Sequence, residues 1–188
     1  MAQARRRWAR VQKRLDARRL VFLDETSANT KMTRACGRCP RGQRLNAAAP
    51  FGTWKTVTYT AALRCNGLTA PFILDGPMDG EAFLAYLDQV LVPSLKRGEI
   101  VVMDNLPVHK VEGVREAIEA AGASLELLPK YSPDFNPIEM PFSKLKAKLR
   151  KLAQRSIQGL RRSIARFAPT ISPDEARAYF RHAGYGAT

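Results

Sequence analysis

The chain has 188 residues, 45% of them hydrophobic, which allows one α/β domain with a buried core and excludes wholesale disorder. Lys and Arg number 31 against 17 Asp and Glu, and the formal charge of +14 favours a polyanionic partner. No segment approaches the roughly 20 apolar residues of a membrane span, and residues 1–19 have no apolar signal core, so a cytoplasmic location without a membrane partner is expected.

The first 19 residues predict a basic helical linker or arm. They are rich in Arg and Lys with Asp16 as the only acid, and Trp8, Val11 and Leu15 recur at helical spacing on one side. The alternative interpretation is a charged arm in solvent. The helix is expected to lead into a domain formed by residues 20–188.

Strand and helix patterns then follow each other along the chain. Leu20–Leu23 predicts a short strand that ends at Asp24, and Asn66-Gly67 predicts the turn of a hairpin. Residues 27–53 show no clear periodicity, and such a long irregular stretch in a compact domain is often functional. The predicted strands are 20–23, 55–63, 68–74, 99–104 and 125–128, and the predicted helices are 80–95, 111–121, 137–152, 157–167 and 173–182.

The order of these elements predicts the fold class. A hairpin group followed by alternating helices and strands indicates an α/β domain with a mixed sheet and helices packed on it. Neighbouring parallel strands bring their carboxyl ends to one edge, which is the usual place for chemistry in such sheets. The strand ends at Asp24 and Asp104 are therefore candidates for a shared site.

Three acids carry most of the functional information. Asp24 follows the apolar run Val21–Leu23, Asp104 follows Ile100–Met103, and Glu139 lies just inside a predicted helix. Phosphodiester cleavage can use two Mg²⁺ ions, which prefer carboxylate, water and phosphate oxygens as ligands. The sequence offers these carboxylates and no competing His-rich or Cys-rich set. It thus predicts a site for two Mg²⁺ ions in an enzyme that acts on nucleic acid.

Each acid has a structural alternative. Asp24 or Asp104 alone can end a strand and accept hydrogen bonds in a turn. With Asn136 as the N-cap and Pro137 at the first helical position, Glu139 is third in the helix and can complete a capping box. Glu25 is the rival ligand to Asp24, but alternation along a strand predicts that the two side chains face opposite ways.

The cysteine pattern favours free thiols over a zinc site. Cys36 and Cys39 have the C-x-x-C spacing of a zinc knuckle, and Cys65, His109 or His182 can supply further ligands. A structural zinc site needs four ligands, and a second C-x-x-C pair is absent from the sequence. Free thiols in a reducing compartment are therefore expected.

Three sequence blocks resemble the catalytic blocks of mariner-like DDE transposases, most closely those of the bacterial insertion-sequence 630 family. They are FLDET at 22–26, VMDN at 102–105 followed by His109-Lys110, and YSPDFNPIE at 131–139. Asp104 and Glu139 have 34 residues between them (105–138), as in that superfamily. The resemblance covers roughly residues 18–185.

The resemblance implies an α/β ribonuclease-H-like fold with a mixed five-stranded sheet flanked by helices. It places Asp24 on the first strand, Asp104 at the end of the fourth and Glu139 on the helix after the fifth, all three catalytic and metal-binding. It also implies Mg²⁺ or Mn²⁺ as the metal, cleavage of element ends, transfer of the 3′-hydroxyl into target DNA, and a homodimer on DNA. Residues 27–53 would then be the inserted loop that clamps a partner subunit, in a bacterial protein associated with the nucleoid.

One feature departs from the family pattern. Such transposases carry an N-terminal helix-turn-helix domain that recognises the element ends, and nothing before Asp24 is long enough to form it. The upstream half of a split reading frame is therefore an expected partner, and a truncated relic is the alternative. The Cys36 and Cys39 pair is also not part of that pattern.

Basic side chains near the three blocks and in the irregular segment are candidate DNA contacts, which would bind backbone phosphate without reading sequence. For His109 a hydrogen-bonding surface role is the alternative, and for the helix lysines a solvated face. The candidates are His109, Lys110, Lys130, Lys144, Lys148, Arg41 and Arg44.

Three functions remain in competition. A metal-dependent DNA strand transferase is favoured by the segment after the first strand and by the Asn136–Glu139 block. An inactive DNA-binding transposase remnant would keep the fold and the charge without a metal-dependent product. A ribonuclease-H-like nuclease would cut RNA–DNA hybrids without joining strands.

Overall fold

A computed structural model describes residues 2–34 and 36–186. Five strands form one sheet in the order β3-β2-β1-β4-β5. The pairs β1–β2 and β2–β3 are antiparallel, whereas β4 is parallel to both β1 and β5. The strands are β1 (Leu20–Asn29), β2 (Thr56–Arg64), β3 (Gly67–Asp75), β4 (Ile100–Met103) and β5 (Ser124–Leu127).

Helices cover both faces of the sheet because alternate side chains of the central strands are apolar on both sides. Leu20 and Phe22 of β1 pack on one face against the later helices, while Val21 and Leu23 pack on the other. Helices α2 and α3 cover the second face. The helices are α1 (Ala2–Val11), α2 (Gly80–Tyr86), α3 (Val114–Ala120), α4 (Glu139–Leu152), α5 (Ile157–Ala165) and α6 (Pro173–His182).

The basic N-terminal helix is docked on the domain. Trp8 of α1 is buried in the core, and its indole Nε1 donates a hydrogen bond of 3.0 Å to Tyr185 Oη. Leu15 packs on the same core, whereas Val11 is exposed. The helix is therefore attached to the face that carries α4 to α6, and the alternative of an arm in solvent is wrong for this segment.

Two predicted elements differ from the observed ones for identifiable reasons. Strand β1 continues past Asp24 to Asn29, since its polar residues pair with β2 as far as Thr56. The helix predicted over 80–95 becomes a π-helical turn at Leu87–Leu91 and then a 3₁₀ turn at Val92–Ser94. Pro93 has no amide hydrogen for an α-helical bond, so regular helix cannot continue through it.

The segment between β1 and β2 has little regular structure. Its described residues are almost all exposed from Arg34 to Lys55, and the side chain of Phe51 is fully exposed. The ammonium group of Lys31 lies 4.2 Å from the ring centre of Trp54. The described part of this segment thus presents apolar and basic side chains to solvent.

Within residues 2–34 and 36–186, none of the helices combines the length and the apolar character that crossing a membrane requires.

Candidate active site

Asp24 lies in the middle of the central strand, on the face covered by α4. Its side chain is buried, and Oδ1 accepts a hydrogen bond of 2.7 Å from the Glu25 amide. Oδ2 accepts a second bond of 2.8 Å from Nδ2 of Asn136. Glu25 faces away from Asp24 toward His109, as strand alternation predicts.

Asp104 is brought beside Asp24 by the register of the parallel strands. Leu20 pairs with Ile100, Val21 with Val101 and Phe22 with Val102, and the same offset relates Asp24 to Asp104. Asp104 follows directly after β4, where the backbone leaves the sheet. Its Oδ1 accepts a hydrogen bond of 3.0 Å from the amide of Leu106.

The side chain of His109 links the carboxylates of Asp104 and Glu25. Its Nδ1 lies 2.7 Å from Asp104 Oδ1, and its Nε2 lies 3.2 Å from Glu25 Oε2. The imidazole has no exposed surface and stacks at a tilt on Phe83. Burial alone would lower the pKa of His109, but the two carboxylates raise it to about 10. Both ring nitrogens then carry hydrogen at neutral pH, and each donates to one carboxylate.

Glu139 is the first residue of α4, and the predicted N-cap is wrong. Ile138 occupies the N-cap position, and Asn136 instead ends the 3₁₀ turn Pro133–Phe135. A helix that began at 137 would place Pro141 in its interior, where the ring meets the carbonyl four residues earlier. Because α4 begins at Glu139, Pro141 falls in the first turn, and the capping box is not formed.

The three acids line one cavity of about 400 Å³ beyond the carboxyl end of β4 and beside the middle of β1. They come from a strand, a loop and a helix that are distant in the sequence. Lys110 and Lys130 contribute positive charge to the same wall. The full lining is Asp24, Asp104, Asn105, Leu106, Pro107, Lys110, Leu128, Pro129, Lys130, Tyr131, Ser132, Pro133, Asn136 and Glu139.

The donor set of this cavity fits a hard cation. Burial, together with the charges of Glu25, Glu139 and Asp104, raises the pKa of Asp24 to about 8. Side-chain Oδ1 of Asn105 and Oδ1 of Asn136 are buried and have no hydrogen-bond partner among the described residues. Crowded carboxylates and unpaired amide oxygens are the ligands that Mg²⁺ and Mn²⁺ take. In residues 2–34 and 36–186, however, no three His, Cys, Asp or Glu side chains are close enough together to form a ready metal cluster.

The chain matches the family model described as DDE superfamily endonuclease over residues 19–161. It belongs to the DDE superfamily endonucleases. The prediction of a DDE endonuclease domain is therefore confirmed. No curated protein is significantly similar to this DDE endonuclease in sequence.

Solved structures with the same fold include three described as Mos1 complexes or domains. The chain is similar to a pre-cleavage Mos1 transpososome (TM-score 0.75, 16% identity, covering 96% of this chain and 56% of that one). It is also similar to a mariner Mos1 paired end complex with Mg (0.72, 22%, 96% and 56%) and to the catalytic domain of Mos1 mariner transposase (0.65, 18%, 96% and 83%).

These likenesses confirm the ribonuclease-H-like fold class and the resemblance to mariner-like transposases at the level of the fold. Because the sequence identities are below 25%, these structural similarities show a shared fold and nothing more about this chain. This DDE endonuclease spans just over half the length of the first of those chains.

The predicted DNA contacts of the DDE endonuclease have different surroundings. Lys110 and Lys130 are exposed on the cavity wall, and Arg41 and Arg44 are exposed in the segment between β1 and β2. His109 requires a correction, because its buried ring binds two carboxylates and has no surface to offer to phosphate.

Two lysines of α4 already have partners within the fold. Lys144 Nζ lies 2.6 Å from Glu175 Oε1, and Lys148 Nζ lies 5.9 Å from the ring centre of Phe167. Both remain exposed, so they stay candidate DNA contacts whose charge is shared with these partners.

Among residues 2–34 and 36–186, the cysteines belong to no group of ligands that could hold zinc. Cys36 and Cys39 are exposed, and all three cysteines are free thiols. Cys65 donates to the carbonyl of Ala17, and Cys39 to that of Gln43.

Three side chains near the acids are not predicted to be there from the sequence. Asn136 is predicted as a helix cap, and neither Asn105 nor Arg5 has a predicted role of its own. Pro141 is the sequence feature that argues against a cap at Asn136. A proline fits only the first turn of a helix, so Pro141 indicates that α4 starts after Ile138. Nothing in the sequence alone distinguishes Arg5 from its neighbours Arg6 and Arg7.

Proposed function

We propose that this chain is the catalytic domain of a DNA transposase, which cleaves strands at the ends of an insertion sequence and joins the 3′-hydroxyl to target DNA. The observation that carries the proposal is the convergence of Asp24, Asp104 and Glu139 on one cavity. Family membership supports endonuclease chemistry. The solved relatives described as a transpososome and a strand transfer complex favour transposition over simple cutting.

In this proposal Asp24, Asp104 and Glu139 hold two Mg²⁺ or Mn²⁺ ions. When bound, such ions activate the attacking oxygen and stabilise the leaving oxygen of an in-line displacement. His109 orients the Asp104 carboxylate by binding its Oδ1, and Asn136 orients the Asp24 carboxylate by donating a hydrogen bond to its Oδ2. The solved Mos1 structures with Mg and with Mn support the choice of metal.

The DNA backbone enters along the basic wall of the cavity. Lys110 and Lys130 lie beside the acids, where their ammonium groups can neutralise the phosphate that approaches the carboxylates. The net charge of +14 supplies the wider attraction for DNA. Lys144, Lys148, Arg41 and Arg44 extend the contact away from the cavity. Such a protein would work on the nucleoid in the bacterial cytoplasm.

A homodimer on paired DNA ends is part of the same proposal. Leu45, Phe51 and Trp54 are exposed apolar residues in the segment between β1 and β2. In this proposal these side chains contact the partner subunit. We assign residues 1–19 to a linker, 20–188 to the catalytic domain and 27–53 to the clamp-like insertion, whose first residues, 27–29, form the end of β1. An upstream helix-turn-helix half from a split reading frame would supply end recognition.

The activity can be tested without end recognition. A labelled duplex with a free 3′-hydroxyl is mixed with supercoiled plasmid and Mn²⁺, and joined product is measured for wild type and Asp104→Asn. Joining that the substitution abolishes supports the proposal. DNA binding without any metal-dependent product indicates a transposase remnant, and cleavage confined to an RNA–DNA hybrid indicates a ribonuclease-H-like nuclease.

A further inference from the structure

One arginine of the basic N-terminal helix holds the turn that precedes Glu139. Arg5 Nη1 donates to Tyr131 O at 3.2 Å and to Ser132 Oγ at 2.8 Å. It also forms a two-pronged pair with Asp134, with Nη1–Oδ1 at 2.9 Å and Nη2–Oδ2 at 2.7 Å. The guanidinium lies 4.8 Å from the ring centre of Phe135. Four residues of one turn are thus held by a single side chain.

This turn is the direct support of the candidate site. Asn136, whose Nδ2 binds Asp24, is the next residue after Phe135, and Glu139 follows three positions later. Tyr131 has a φ of 57°, a left-handed conformation that costs about 1 kcal/mol or more for a residue with a side chain. Arg5 donates a hydrogen bond to the carbonyl of Tyr131 and so stabilises the residue whose backbone conformation is energetically unfavourable.

A second tie joins α1 to the same turn. Trp8 Nε1 donates to Tyr185 Oη, and Tyr185 Oη donates at 2.9 Å to the carbonyl of Phe135. Arg5 and Trp8 lie three positions apart and therefore share one face of the helix. The opposite face carries Arg6, Arg7 and Arg10, all exposed. The helix has one face for the turn and another that is open to solvent.

We propose that Arg5 is a positioning residue for the candidate active site: it fixes the Tyr131–Phe135 turn and thereby the placement of Asn136 and Glu139. This inference rests on the proposed function, because it concerns the metal-binding geometry of that site. Arg5 acts through the turn and does not touch the cavity acids. The alternative is that Arg5 is one more phosphate contact. Its guanidinium already donates hydrogen bonds to Asp134, Tyr131 O and Ser132 Oγ, so it is poorly placed to bind a DNA phosphate.

The test compares Arg5→Gln with Arg6→Gln, which removes the same charge from the next residue of the helix. Mn²⁺ affinity is measured by calorimetry with a short DNA duplex present. We expect Arg5→Gln to weaken Mn²⁺ binding about tenfold, the lower end of the loss seen when an outer partner of a metal ligand is removed. Arg6→Gln should leave it unchanged. Asp134→Asn removes the other partner of the Arg5–Asp134 ion pair and should weaken Mn²⁺ binding as much as Arg5→Gln does.

Two further readouts separate positioning from general stability and from DNA contact. Hydrogen exchange at the amides of Phe135 and Asn136, which are bonded within the turn, should quicken in Arg5→Gln and not in Arg6→Gln. The slope of DNA affinity against salt should fall by about one for a lost phosphate contact, and it should stay unchanged in Arg5→Gln.

The outcomes are distinct. Unchanged Mn²⁺ affinity in Arg5→Gln overturns the positioning role while the proposed function stands, and so does a reduced salt slope with normal Mn²⁺ binding. A wild-type chain that binds no Mn²⁺ overturns the proposed function and this inference with it. Weakened Mn²⁺ binding in Arg5→Gln and Asp134→Asn, with faster exchange in the turn, supports the inference.

Discussion

Asn136 Nδ2 donates a hydrogen bond of 2.8 Å to Oδ2 of Asp24, and this bond ties the segment before α4 to the middle of β1. It gives the buried carboxylate one of its two hydrogen bonds, the other coming from the Glu25 amide. The amide oxygen of Asn136 is buried and has no hydrogen-bond partner in the part of the chain that the structure describes. The residue therefore orients one acid and presents an additional oxygen beside it.

Replacing Asn136 by Ala should weaken metal binding. The change removes the donor to Asp24 and an oxygen near the cavity, so Mn²⁺ affinity should fall about 10- to 100-fold, as for other partners of metal ligands. Calorimetry on the variant and on Asn46→Ala, in the exposed segment between β1 and β2, measures the difference. Equal affinities for the two variants would show that Asn136 serves only the fold.

His109 should be essential for the placement of Asp104. In His109→Gln the side chain can no longer donate to Asp104 and Glu25 at the same time, so Asp104 loses a partner at 2.7 Å. We expect about tenfold weaker Mn²⁺ binding and a lower melting temperature. His182→Gln, at an exposed position, is the matched control for both measurements. A His109→Gln protein with wild-type Mn²⁺ affinity contradicts the positioning of Asp104 by the imidazole.

Glu139→Gln separates a metal role from a helix-capping role. Glu139 is exposed and begins α4, so its carboxylate holds no capping box, and Gln should change the unfolding free energy by no more than about 0.5 kcal/mol. Metal-dependent strand joining should be lost, because Gln lacks the negative charge with which the Glu139 carboxylate would attract the cation. Urea unfolding and the joining assay are run on the same preparation. Retained joining, or a large loss of stability, removes Glu139 from the proposed site.

The ion pair between Arg64 and Glu99 predicts how stability changes in acid. Both are largely buried, and Nη2 lies 2.9 Å from Oε2. Burial opposes ionisation, but hydrogen bonds from Arg64 and the Lys96 amide hold the pKa of Glu99 below its ordinary 4.5. Since the folded-state pKa is the lower one, this stabilisation is complete above pH 4.5 and is lost as pH falls through the folded value.

Glu99→Gln should therefore be less stable than wild type at neutral pH, by about 3–5 kcal/mol, because Arg64 is left buried without its partner. The difference should narrow as the pH falls below 4.5. Thermal unfolding of both proteins across this range provides the measurement. A difference that stays constant with pH would mean that the pair's charge does not contribute.

The fold and the meeting of the acids were predictable because they depend on patterns that the sequence carries locally. Apolar runs indicate β1 and β4, and the parallel register of these neighbouring strands places Asp104 beside Asp24. The hydrogen bonds around the acids were not predictable in the same way. They join residues more than 80 positions apart, as from Asn136 to Asp24 and from His109 to Glu25, and side-chain patterns do not encode such pairings.

Local rules also competed at the start of α4. Asn followed by Pro is a strong helix-start signal, and it predicted a cap at Asn136. Pro141 overrides that signal, since only a first-turn position accommodates it, and the helix begins at Glu139 instead. Asn136 is thereby released for Asp24. For Arg5, by contrast, only the docking of α1 on the domain reveals that it differs from its exposed neighbours.

Mn²⁺ calorimetry on wild type and Asp104→Asn tests most directly whether Asp24, Asp104 and Glu139 form a metal site. A short DNA duplex is present in both titrations, so that phosphate can complete the ligand set. We predict clear binding by the wild type that the substitution abolishes. Equal heats for the two proteins, or no binding by either, would contradict the assignment and leave a basic DNA-binding domain without a catalytic centre.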